Sequence, residues 1–286
     1  MPYISILLAL VVWVSLTGCA DPSGSALCPP VPEVAARAIA HPAFRWDSLA
    51  TSRATVYTQP GSYAAERREE LADDVDAAIT HALEVLGEPT YSEHLRVFFV
   101  GSRDEMAALA GRGSTGVAHP EQPVVFLVVA PNWRPFTRHE VFHAVSLHVW
   151  GQPLGATDLT SVVAGGWLRE GLATAAEGQC AGHPLRAIVA AARRERSMIP
   201  VDTLAATFYD LPDPDAYLQA GSLLEFVQLR YGTSALRQLW DDGLDAFPRA
   251  TGVTADEAEV AWHAWLDGAS ARNVPDPAVL RDVGCG

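Results

Sequence analysis

His139, Glu140 and His143 stand together in His139-Glu140-Val141-Phe142-His143, residue types and a spacing that can hold a metal ion and use it. On a helix, residues four apart share a face, so both imidazoles can reach a single ion. Catalytic zinc takes three protein ligands and keeps a fourth position for water. Glu140, next to the first imidazole, can then act as a general base toward that water. Val141, Phe142, Val145 and Val149 cover the rest of the helix and give the pair a rigid, apolar mount. The order Thr137-Arg138-His139-Glu140 also fits a capping box, in which Glu140 bonds the helix start instead.

A second segment follows, Gly166-Trp167-Leu168-Arg169-Glu170-Gly171-Leu172-Ala173, where Gly171 removes bulk beside the Glu170 carboxylate. HEVFH followed by WLREGLA resembles the gluzincin zinc metallopeptidases, a group that includes thermolysin and many aminopeptidases. Within that group it looks most like the compact bacterial peptidase-MA-like branch. The likeness is strongest over residues 137–178 and extends weakly to Tyr217-Leu218-Gln219-Ala220-Gly221-Ser222.

The resemblance implies a zincin-like fold, with His139, His143 and Glu170 as ligands of one Zn2+ per chain and Glu140 as the general base. It implies a peptide or protein substrate whose backbone pairs with a sheet edge above the metal, for which the stretch around Gly116-Val117-Ala118 is the candidate. Tyr217 is the candidate donor to the oxyanion of a tetrahedral intermediate, a role that an active-site Tyr or His plays in related peptidases. Thr174, four residues after Glu170, can either hydrogen-bond a ligand or serve as an ordinary helix threonine. Glu177 reads as a surface or capping residue, and His148, off the ligand face, as structural.

Hydrophobic periodicity supplies the elements that must position these groups. Apolar positions from Leu71 to Leu86 follow helical spacing within 63–86, and Gly87 and Pro89 stop that helix. Thr55-Val56-Tyr57, Leu95–Val100, Val117 and Val124–Val129 read as strands, with a short helix around Asp104–Ala110. From Thr137 on the signals are helical: about 137–150, 165–177, 184–194, 217–231, 234–241 and 255–265. The expected class is α+β, a small mixed sheet with helices followed by a mostly helical half, with the active site between them. The boundaries read as 46–136 for the sheet subdomain and 137–286 for the helical one.

The amino-terminal stretch Tyr3–Leu16 is nearly all apolar and ends in Leu16-Thr17-Gly18-Cys19. It suits the core of a signal peptide rather than a mature membrane span. The ending resembles the lipobox of bacterial lipoproteins, which implies a signal peptide over 1–18 and acylation at Cys19. Residues 19–45, rich in Ala, Pro, Ser and Gly, read as a tether. The expectation is an exported domain, lipid-anchored to a bacterial membrane. Cys28, Cys180 and Cys285 remain; an oxidising compartment favours a disulfide, but three cannot all pair within one chain.

At 286 residues and 49% hydrophobic, the chain can bury one large core or two small ones. A net charge of −14 argues against a nucleic-acid partner, since phosphate binding needs clustered cations. The functional alternative is a non-catalytic envelope lipoprotein that keeps such a fold for binding or assembly. An intact Glu140 counts against it, because a pseudoenzyme is free to lose the base.

Overall fold

The computed structural model describes residues 31–131, 133–195, 198–213, 215–269 and Val274. Helix α1 (Glu33–Ala40) leads into an antiparallel pair, β1 (Asp47–Ala50) and β2 (Ala54–Thr58). Helices α2 (Tyr63–Glu66) and α3 (Arg68–Leu86) cross to β3 (Leu95–Val100), parallel to β2. Helix α4 (Arg103–Ala110), edge strand β4 (Gly116–His119) and β5 (Val124–Val128) complete a five-stranded mixed sheet ordered β1-β2-β3-β5-β4. The helical half follows as α5 (Thr137–Trp150), α6 (Leu159–Ala164), α7 (Gly166–Glu177), a two-residue hairpin β6 (Gln179–Cys180) and β7 (His183–Pro184), α8 (Leu185–Glu195) and α9 (Val201–Ala206). It closes with α10 (Asp215–Tyr231), α11 (Thr233–Asp242), α12 (Phe247–Thr251) and α13 (Ala255–Asp267). The α+β class is as the periodicity implies.

Alternation along the strands decides which side of the sheet each residue serves. Val97, Phe99, Val125 and Leu127 face one way and join a core that continues through α3, α5, α7 and α10. Phe98, Val100, Val124, Phe126 and Val128 face the other way and form a smaller core with α1 and α4. Every residue of β3 and β5 is buried, as covering on both faces requires. Because one core passes from the sheet into the helices, the expected boundary at 136/137 divides the chain by element type and does not separate two cores.

Helix α5 sits where the two halves meet and is buried round much of its circumference, from Thr137 through Ser146. A helix so enclosed belongs to the core and holds its side chains in fixed directions. Trp167, Trp240 and Trp262 are fully buried and fill the helical half. Cys180 is buried and disulfide-bonded; Cys19, Cys28, Cys285 and the 1–18 segment lie outside the described residues.

One expectation needs correcting. The tether was expected to run through residue 45, yet Glu33–Ala40 is a helix with Val34, Ala35 and Ala38 buried. Its Ala-rich composition looks like a linker, but these small residues fit against the sheet's second face. The helix is pinned by Val34 N donating to Gln122 Oε1 at 2.8 Å and Trp46 Nε1 donating to Ala38 O at 2.9 Å. Ala38→Asp should therefore cost about 2 kcal/mol or more in denaturant unfolding, as an unpaired buried charge does. A solvated linker position would change by no more than about 0.5 kcal/mol.

Candidate metal centre

Helix α5 places the His139 and His143 rings on one face, with Nε2 atoms 3.2 Å apart. Helix α7 packs beside it and brings Glu170 Oε2 to 3.5 Å from His139 Nε2 and 3.2 Å from His143 Nε2. All three donor atoms fall within 4.8 Å of one another. Three donor atoms this close can serve a single ion. That donor set fits a divalent cation of borderline softness. Burial opposes ionisation of Glu170, but the charges of and hydrogen bonds from His143 and His139 outweigh it, holding the carboxyl well below the usual range.

The approach of α7 depends on two glycines. A Cβ at Gly171 would lie 2.9 Å from Leu224 Cδ1 and 3.0 Å from Ala220 Cβ, so its smallness serves the contact with α10. A Cβ at Gly221 would lie 2.8 Å from Thr174 Cγ2, which packs its methyl there. Glu177, at the end of α7, accepts the backbone N–H of His139 at 3.3 Å and a bond from Gln179 Nε2 at 2.9 Å. It thus caps a neighbouring helix, placing negative charge where the α5 dipole favours it.

Glu140 turns away from the helix start, and α5 has no side-chain cap of its own. The carboxyl is buried against Gly116 of β4, with the Ala118 backbone as a minor influence that favours its charged form. Gly116 makes the room: a Cβ there would lie 2.3 Å from Glu140 Oε1. Burial first, and the Glu170 charge in addition, push the Glu140 pKa up to about 7 against the pull of His139. A carboxyl tuned toward neutrality can both accept and release a proton. The capping-box alternative does not describe this structure.

Tyr217, on α10, lines the same cleft, with its ring centroid 5.0 Å from that of Phe208 and the two planes tilted by 51°. Burial, then the charge of Glu170, pushes its phenol up, so it keeps its proton. The phenol that reaches Glu170 is a different one. Tyr209 donates to Glu170 Oε1 at 3.3 Å and accepts a bond from Arg169, whose Nε lies 3.4 Å from the same carboxylate oxygen. Its ring lies over Gly166, where a Cβ would come within 2.4 Å of Tyr209 Cε2. Tyr209 sits on a short 3-10 turn, Phe208–Asp210, which carries no periodic signal in sequence. His148 is remote from this group, bonding Ser92 Oγ at 2.8 Å and packing edge-on against Tyr91.

His139, His143 and Glu170 open onto a cleft of about 980 Å³, bordered by Gly116 and Ala118 of β4 and by residues of α6. No family model and no curated protein matches the chain. Among solved structures, an aminopeptidase N family protein from Idiomarina loihiensis is similar with a TM-score of 0.41 at 15% identity, over 83% of this chain and 46% of that one. The chain thus spans about half the length of that protein, and likeness at this level carries no functional argument.

Tyr209→Phe removes one partner of Glu170 and leaves the ring packing intact. Zinc titration against a chromophoric chelator should show affinity about 10-fold or more weaker, the usual cost of losing a group that orients a ligand. Gly116→Ala should leave that affinity nearly unchanged, because it displaces Glu140 and not a ligand.

Proposed function

We propose that this chain is a zinc-dependent peptidase of the gluzincin kind. The observation that carries the reading is the convergence of His139, His143 and Glu170, with Glu140 held beside them against the edge strand. A zinc ion bound by the three ligands would supply a Lewis acid that polarises the scissile carbonyl and makes water acidic near neutral pH. Glu140 takes the proton from the attacking water and passes it to the leaving amine, which restores the carboxylate for another turn. The Tyr217 phenol, protonated and facing the cleft, donates to the oxygen that gains negative charge. Edge strand β4 offers backbone groups to an extended substrate, while its Gly116 leaves the space that Glu140 occupies.

We further propose that the domain works outside the cytoplasm, anchored by lipid at Cys19. The support is the apolar run ending in Leu16-Thr17-Gly18-Cys19 and the disulfide at Cys180, which suits an oxidising compartment. Mass spectrometry of membrane-extracted protein should find a modified cysteine at the mature amino terminus. An unmodified start beyond Cys19 in a freely soluble form contradicts this.

Glu140→Gln tests the mechanism. Gln is nearly isosteric and Glu140 is not a ligand, so metal and fold should persist. Cleavage of a mixed peptide library should fall by roughly a hundred- to ten-thousand-fold, the worth of general acid–base catalysis. Equal rates for wild type and variant, with metal bound in both, exclude Glu140 as the base.

A further inference from the structure

Helix α6 reads Leu159-Thr160-Ser161-Val162-Val163-Ala164, half of it bulky aliphatic, and none of its residues is buried. Leu159 is 79% exposed and Val163 48%. Single exposed apolar residues are ordinary, whereas adjoining ones on one element mark a surface that binding covers. Of the six large apolar residues most exposed in the described chain, Leu159, Val163 and Tyr209 line the same cleft as the metal ligands.

The helix is capped at its start and tied to its surroundings at two places. Asp158 Oδ1 accepts the Ser161 backbone N–H at 3.0 Å, and Ser161 Oγ accepts the Asp158 N–H at 3.4 Å, completing a capping box. At the other end, Gly165 lies so close to Pro153 that a Cβ would stand 2.8 Å from its Cγ. Arg169 ties the helix to the centre: Nη1 donates to Val162 O at 3.5 Å, and Nε donates to Glu170 Oε1 at 3.4 Å. The aliphatic side chains are thus held at a set place relative to the ligands, facing a cleft shared with β4.

We infer that Leu159, Val162 and Val163 form a wall that receives a bulky aliphatic or aromatic side chain of a polypeptide lying in the cleft, next to the bond at the metal centre. The inference rests on the peptidase reading and names its substrate class. The occupant is a substrate chain because the wall borders the same cleft as His139, His143 and Glu170, so a polypeptide extended along that cleft meets both.

The probes are octapeptides of Gly, Ser and Ala with Leu, Phe, Ala or Asp at one central position. Their binding to zinc-loaded Glu140→Gln protein is read by calorimetry, which needs no turnover, and their cleavage is followed with wild type. Leu and Phe peptides should bind at least about ten-fold more tightly than Ala or Asp peptides, as filling an apolar site does. Adding Leu159→Ser and Val163→Ser should abolish that preference without lowering the melting temperature, since neither side chain is buried. Val163→Ile should keep it. Equal binding of all four peptides, or a preference untouched by the paired Ser substitutions, overturns the inference. Wild type that cleaves without preference leaves the peptidase reading standing and removes the wall. Selective binding without any cleavage does the reverse.

Discussion

Glu170 carries its carboxylate into a place largely closed to water, 3.5 Å from one imidazole and 3.2 Å from another. A lone charge there would be expelled or neutralised, because burial strips its hydration. What makes the position tenable is the set of donors around the two carboxylate oxygens. Two ring nitrogens face one oxygen, while the Arg169 guanidinium and the Tyr209 hydroxyl approach the other. The two helices must meet at one spacing for this to hold, and the remaining packing follows from that requirement.

Small residues set the spacing. Gly171 and Gly221 bring α7 and α10 together closely enough that added methyl groups would collide with Ala220 and Thr174. Gly116 does the same between β4 and α5, and the space it leaves is filled by the Glu140 carboxyl. Glu177 joins α7 to the start of α5 through the His139 N–H, so the helix bearing Glu170 also fixes the first histidine. The sheet's part is to carry α5 on its apolar face and to present β4 as an open edge at the cleft.

Much of this was legible from residues alone because it obeys local rules. Leu95–Val100 and Thr137–Trp150 match the strand and helix that periodicity implies, and the spacing of His139, His143 and Glu170 allowed the meeting that the structure shows. The rest depends on contacts between distant segments. Helix α1 resembles a linker until the sheet's second face is there to cover it. Strand β1 has no buried residue to betray it. Gly171 was legible as smallness beside Glu170, but its use lies on the opposite side, against α10. Tyr209 comes from an aperiodic turn, and its contact exists only because Gly166 has no side chain. Glu177 reads as surface or cap in one dimension; that it caps a different helix is a tertiary fact.

We propose that His139, His143 and Glu170 act together as one metal site. Elemental analysis of the purified protein, exchanged into metal-free buffer and compared with His143→Ala, tests it most directly. About one zinc per wild-type chain is expected, from the three-ligand rule for catalytic zinc, and its loss from a still-folded His143→Ala protein. Zinc content that is unchanged in His143→Ala, or absent from wild type even after incubation with the metal, would contradict it.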